Sequence, residues 1–121
     1  MAKIVPALLV ENFDEAKKRI DLLPDAEIVS VDIMDGTFVD PTTYFNADEI
    51  NNIESEVLFE LDLMVNDPLP IIEAWAKHSR TTRAIIHAEL DTDIRGLLEA
   101  IHKLGLEAGL ALLPKTKISD V

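Results

Sequence analysis

Two spacings of apolar residues alternate along the chain. Residues 4–10 form a short apolar run broken only by Pro6, which predicts a buried strand. Asn12 and Glu15 then give the N-x-x-E pattern of a helix start. Phe13, Ala16, Ile20 and Leu23 follow at helical spacing until Pro24 stops them. Residues 27–34 are a second apolar, β-branched run, closed by the turn pair Asp35-Gly36. A long loop over residues 36–46, holding Pro41, Tyr44 and Phe45, leads to a short helix over 47–53 capped by Asn46. Residues 57–65 predict the third strand. Asp67-Pro68 opens the next helix, a carboxylate cap followed by proline at the first helical position. Leu69, Ile72, Trp75 and Ala76 lie on one side of it. Residues 83–90 predict the fourth strand. Thr92 or Asp93 caps a helix striped by Ile94, Leu97, Leu98, Ile101 and Leu104, and Gly105 stands where a left-handed C′ residue belongs. Residues 106–113 are the fifth strand, ended by Pro114, and Ser119-Asp120-Val121 begins a further helix.

The order is βαβαβαβαβ with connections of the length that βαβ units use, so the sheet is parallel and covered by helices. A doubly wound sheet and a (β/α)8 barrel both satisfy that order. Leu8-Leu9-Val10-Glu11-Asn12 after the first strand contains no glycine, which argues against a dinucleotide-binding unit.

Strands buried on both faces read as nearly continuous apolar runs. The polar exceptions therefore carry the information. By the period of two, Ser30, Asp32 and Met34 share one face of the second strand. Glu60, Asp62 and Met64 do the same in the third, and His87 and Glu89 in the fourth. Each set lies toward the C-terminal half of its strand, the end where parallel α/β proteins bind ligands. Polar strand ends that reach solvent are the ordinary explanation for one such residue. Carboxylates repeated on successive strands point instead to a site, because burial and like charge raise a carboxyl pKa toward neutrality and suit it to proton transfer. His78 and His102 read as surface helix residues, and Trp75 as packing on an apolar stripe.

Composition narrows the field. The 121 residues amount to one domain, and 48% hydrophobic residues exclude intrinsic disorder. Eleven Lys and Arg against 23 Asp and Glu give a net charge of −12, a field that repels nucleic acid and anionic membrane surfaces. There is no cysteine, hence no disulfide and no thiolate metal site. Glu60, Asp62 and Asp67 interrupt the longest apolar stretch, so no segment is expected to cross a bilayer. The N-terminus lacks the pattern of a secretory leader, and the expected location is cytoplasmic.

The segment Val31-Asp32-Ile33-Met34-Asp35-Gly36-Thr37-Phe38-Val39 resembles the D-x-M-D-G-x-F-V signature of the ribulose-phosphate 3-epimerase family. Other stretches are similar to that family in the same order. Ile4-Val5-Pro6-Ala7-Leu8-Leu9 resembles its first strand. Leu61-Asp62-Leu63-Met64-Val65-Asn66-Asp67-Pro68 resembles its third, His87-Ala88-Glu89 its fourth, and Gly109-Leu110-Ala111-Leu112-Leu113-Pro114 its fifth.

The resemblance implies a (β/α)8 barrel, here a single partial barrel domain over residues 1–121 with about five strands and four helices, since a full barrel of this type needs about 200–250 residues. It implies an isomerase of carbohydrate metabolism, in the pentose phosphate pathway, that exchanges ribulose 5-phosphate and xylulose 5-phosphate by proton transfer at C3. Asp32 is then the catalytic acid/base and a metal ligand, and Met34, Met64 and His87 contact the sugar. The family's divalent metal is held by two His and two Asp. Ser30 and Asp62 stand at the two His positions, which leaves Asp32 and Asp62, with Ser30 as a further oxygen, as a set favouring Mg²⁺ or Mn²⁺ over Zn²⁺; the alternative is that no metal binds. Ala7 and Leu113 replace a substrate-contacting Ser and an Asn. The expected partner is a small phosphorylated sugar, with a homo-oligomer covering the open sheet, and the isolated chain is expected to be inactive. The alternatives are epimerisation of another ketose phosphate, or a non-catalytic barrel that binds a phosphosugar or a protein partner.

Overall fold

Val29, Val31 and Ile33 have no accessible surface, and neither do Phe59, Leu61 and Leu63 or Ala84 and Ile86. These alternate residues of three strands form one apolar face that helices cover, which is where the core sits. A computed structural model of the chain describes residues 4–43, 46–50 and 52–120. Its elements run β1 (Ala7–Leu8), α1 (Phe13–Asp21), β2 (Ile28–Met34), α2 (Ala47–Ile50), β3 (Leu58–Met64), α3 (Leu69–Ala76), β4 (Thr81–His87), α4 (Ile94–Lys103) and β5 (Glu107–Ala111). A 3-10 turn over Ile118–Asp120 follows, where the sequence predicts a helix start; Val121 lies outside the described residues, as do Tyr44 and Phe45 of the long loop.

The five strands are parallel and lie in chain order, β1-β2-β3-β4-β5. A doubly wound sheet reverses its strand order at a switch point. Consecutive order without reversal belongs to a barrel wall, so the fold is part of a (β/α)8 barrel.

Local chemistry sets most boundaries. Asn12 caps α1, its side-chain oxygen accepting the Glu15 N–H at 2.9 Å. The Glu15 carboxylate reaches back to the Glu11 N–H at 3.3 Å, one residue beyond the cap, and also pairs with Arg19 at 3.0 Å. Asp93, rather than Thr92, caps α4 by accepting the Gly96 N–H. Gly105 follows α4 at φ +84°, a conformation that costs glycine little.

Several expectations need correction: α2 ends at Ile50 rather than at 53, and β5 runs over Glu107–Ala111 rather than 106–113. β1 pairs only Ala7 with Ser30 and Leu8 with Val31; Pro6 accepts from the Ser30 N–H but has no N–H of its own to extend the ladder. The cap of α3 is Pro68, with no side-chain bond from Asp67. β4 begins at Thr81 and ends at His87, because the chain turns over the next three residues and tucks Leu90 back into the core. His78 lies beyond the end of α3 and is partly buried, its Nε2 3.2 Å from Asp48 of α2. His102 is exposed as expected. Trp75 is fully buried with its ring edge-on to Phe59, centroids 5.8 Å apart, which is the packing role.

Among the described residues β1 and β5 each have a single neighbouring strand, and Leu9, Leu58 and Leu110 are exposed. Open edges and apolar surface favour association, while a net charge of −12 opposes it. Salt screens the second effect and leaves the first. Light scattering of the chain should therefore show a higher mean mass in about 0.5 M than in about 0.02 M NaCl, where the Debye length falls severalfold. A monomer at both salt concentrations would contradict this account of the edges.

Candidate active site

The register between β2 and β3 builds the site. Ser30 pairs with Glu60, Asp32 with Asp62 and Met34 with Met64. The period of two that buries the odd-numbered residues against helices turns these six to the opposite, inner face. β4 joins through an irregularity: Phe59 pairs with Thr81, but Glu60 pairs with Arg83. The extra residue, Thr82, behaves as a bulge and brings Arg83, Ile85 and His87 onto the inner face. Asp62 is then opposite Ile85, and His87 lies two residues further along, toward the C-terminal rim. Met34, Met64 and His87 are the last residues of their strands.

Electrostatics divides the three inner carboxylates. Glu60 is buried but partnered: Arg83 Nη1 lies 2.5 Å from its Oε1. The same guanidinium donates through Nε and Nη2 to Glu107 Oε2 at 3.0 and 2.7 Å, which ties β3, β4 and β5 together. Glu60 is therefore partnered, although its charge still acts on Asp62, and Asp32 and Asp62 remain without a cationic partner of this kind among the described residues. Burial, and then the charge of Asp62, pushes the Asp32 carboxyl up to about 6. Burial also raises Asp62, with Glu60 adding to the rise and His87 opposing it. Asp62 Oδ1 is buried and has no hydrogen-bond partner among the described residues. A desolvated carboxylate without a donor is costly, and a proton relieves the cost. The pair is thus suited to hold or transfer a proton near neutral pH.

The loop after β2 is pinned over this face by residues that periodicity gives no means of finding. Thr43 Oγ1 donates to the Asp32 carbonyl at 2.7 Å and accepts the Met34 N–H at 3.0 Å. The Thr43 N–H donates to the Met34 carbonyl at 2.9 Å. Gly36, at φ +85°, makes the turn. Asp35 accepts from the Thr37 N–H and hydroxyl, and Asn66, just past β3, donates to Thr37 through its backbone and side-chain nitrogens. Phe38 is thereby held against His87, ring centroids 4.9 Å apart. Glu89, expected on β4 beside His87, lies in the turn beyond it and folds back so that Oε1 is 3.2 Å from His87 Nδ1. Desolvation pushes the Glu89 carboxyl up. Hydrogen bonds from the Thr116 side chain, the Leu113 N–H and His87 together outweigh it and hold the carboxyl below its ordinary range.

The structure thus brings together Asp32, Asp62, Met34, Met64 and His87. It does not complete a metal site. Ser30 and Asp62 offer no imidazole, and among the described residues no group of three His, Cys, Asp or Glu could hold an ion. Two carboxylates leave most positions around a divalent cation to water.

Residues 3–121 match the family described as the ribulose-phosphate 3 epimerase family. A ribulose-phosphate 3-epimerase of Chlamydia pneumoniae is 37% identical over 95 residues, covering 77% of this chain and 41% of the relative. One from Helicobacter pylori is 30% identical over 116 residues, covering 94% and 52%. A cytoplasmic isoform from Oryza sativa subsp. japonica is 30% identical over 125 residues, covering 99% and 54%. The chain spans about half the length of the curated relatives it matches. Among the described residues no helix is long and apolar enough to cross a membrane.

The raised Asp32 carboxyl fixes the sign of a pH effect. Below about pH 4 the folded and unfolded chains both hold this proton. Between there and about 6 the folded chain keeps a proton that the unfolded chain has lost, so stability falls as pH rises through this window. Asp62 contributes in the same direction. Asp32→Asn should remove part of the decline, about 1 kcal/mol once partial exposure is allowed for. Urea unfolding of both proteins at pH 4.5 and 6.5 measures the difference; equal slopes against pH would refute the raised carboxyl.

Proposed function

The chain belongs to the ribulose-phosphate 3-epimerase family, and from that premise we propose that its strands carry one acid/base side of a site that inverts C3 of a ketopentose 5-phosphate. The substrates on this reading are ribulose 5-phosphate and xylulose 5-phosphate, and the protein is a cytoplasmic, self-associating isomerase. Asp32 removes or returns the C3 proton. That proton is acidic because the neighbouring C2 carbonyl delocalises the resulting charge as an enediolate. The observation that carries the reading is Asp32 itself, on the inner face near the C-terminal end of β2, with burial and Asp62 pushing its carboxyl up to about 6. A base poised there is near the working pH. Met34 and Met64, paired across the strands, offer polarizable apolar contact to the sugar carbons. His87 binds a sugar oxygen. Inversion also needs a second acid/base group on the opposite side of C3, and the matched relatives are about twice as long as the part this chain covers.

A specific observation favours a second reading. Neither Ser30 nor Asp62 supplies the imidazole that the resemblance implies, which suits a barrel that binds a phosphosugar without turning it over. The two are separated by joining this chain to the unmatched part of the Chlamydia pneumoniae relative and following xylulose 5-phosphate formation in D2O by NMR. The epimerase reading predicts turnover with deuterium at C3, lowered ~10²–10⁴-fold by Asp32→Asn. It predicts none above background from the 121-residue chain alone. A folded chimera that is inert, or one that Asp32→Asn leaves unchanged, would overturn it.

A further inference from the structure

His87 ends β4 on the inner face with its side chain about nine-tenths buried, and its two ring nitrogens are treated differently. Nδ1 lies 3.2 Å from Glu89 Oε1. Nε2 has no hydrogen-bond partner among the described residues. The Phe38 ring covers the imidazole, which restricts rotation of the ring.

Glu89 is itself fixed from a second direction. Its Oε2 accepts the Leu113 N–H at 3.1 Å, from the segment just past β5. One oxygen is thus committed to a backbone donor and the other is directed at His87, and the Thr116 side chain also hydrogen-bonds the carboxylate. An ionised carboxylate only accepts hydrogen bonds, so the nitrogen facing it must carry the proton. In a neutral imidazole the other nitrogen then carries the lone pair.

We infer that Glu89 is a positioning residue, which holds His87 with Nδ1 protonated and leaves Nε2 as a hydrogen-bond acceptor for a hydroxyl of the bound ligand. This rests on the reading above only in assigning a hydroxylated ligand to the inner face. The tautomer itself follows from the contact between the Glu89 carboxylate and His87 Nδ1. A partner behind an imidazole commonly sets ring orientation and basicity in this way. The consequence is selective: an acceptor at Nε2 favours a hydroxyl over a carbonyl oxygen at that point of the ligand.

Glu89→Gln makes the sharpest test because it preserves size and shape. The Leu113 N–H needs an acceptor, so the carboxamide oxygen should take the Oε2 place. The amide NH2 then faces Nδ1, which has to accept. The tautomer should reverse to Nε2–H while the fold is kept. Glu89→Ala removes the contacts with His87, Leu113 and Thr116 and should relax His87 to the Nε2–H form that free histidine prefers. The measurement is a long-range ¹H–¹⁵N spectrum of the ligand-free 121-residue chain with labelled histidine, at a pH where His87 is neutral, with the backbone spectrum as the check on folding. Expected are a protonated Nδ1 in the parent and a protonated Nε2 in both variants. A parent that already carries Nε2–H, or a folded Glu89→Gln that keeps Nδ1–H, would overturn the inference. A purely structural Glu89 would leave the tautomer unmoved. No substrate is present, so failure here is distinct from failure of the epimerase reading.

Discussion

Seven consecutive parallel pairs from Ile28↔Leu58 to Met34↔Met64 lock β2 to β3, and everything at the site depends on that register. The pairing is held by burial: Val29, Val31, Ile33, Phe59, Leu61 and Leu63 lie wholly within the face covered by helices. A slip of one residue would turn Asp32 or Asp62 into that core and an aliphatic side chain out of it, exchanging a favourable burial for an unpaired buried charge. The same constraint that packs the core therefore sets two carboxylates side by side just below the rim, at some cost to stability. Proteins retain such costs where function uses them.

The remaining inner-face charges are arranged so that the cost falls on that pair. Arg83 pairs with both Glu60 and Glu107, so the lower part of the face is partnered, with one negative charge in excess. Its own placement comes from the bulge between β3 and β4, without which the alternation would send it toward the helices. Above it, Asp62 keeps an unpartnered oxygen and Asp32 sits beside it. At the rim, Met34, Met64 and His87 close the layer, and the loop clipped by Thr43 and Thr37 brings Phe38 over His87. The half-buried carboxyl pair thus lies beneath a rim of Met34, Met64 and His87, where partial desolvation disfavours its charge.

Much of this was legible in the residues. Period-two alternation put Ser30, Asp32 and Met34 on one face and Glu60, Asp62 and Met64 on another, and the structure pairs them one to one. The helix caps at Asn12 and Asp93 carried their own chemistry. What stayed hidden depends on contacts distant in sequence. Leu90 looks like a strand residue because it is apolar, yet it is buried by a turn that reverses the chain. Thr43 reaches Asp32 and Met34 from a loop with no period, and Glu89 is oriented by Leu113. The choice between a wound sheet and a barrel wall was likewise a matter of strand order, which alternating elements leave open until the sheet is seen.

The account turns on two carboxyls that share one face and disfavour each other's charge. The most direct measurement is the pH titration of the Asp32 and Asp62 carboxyl carbons by ¹³C NMR, in the parent chain and in Asp62→Asn. The parent should show Asp32 titrating with a midpoint near 6 and Asp62 above the ordinary aspartate range, and Asp62→Asn should bring Asp32 down toward that range. Two carboxyls that both titrate near 4 in the parent, each indifferent to the other, would contradict the account.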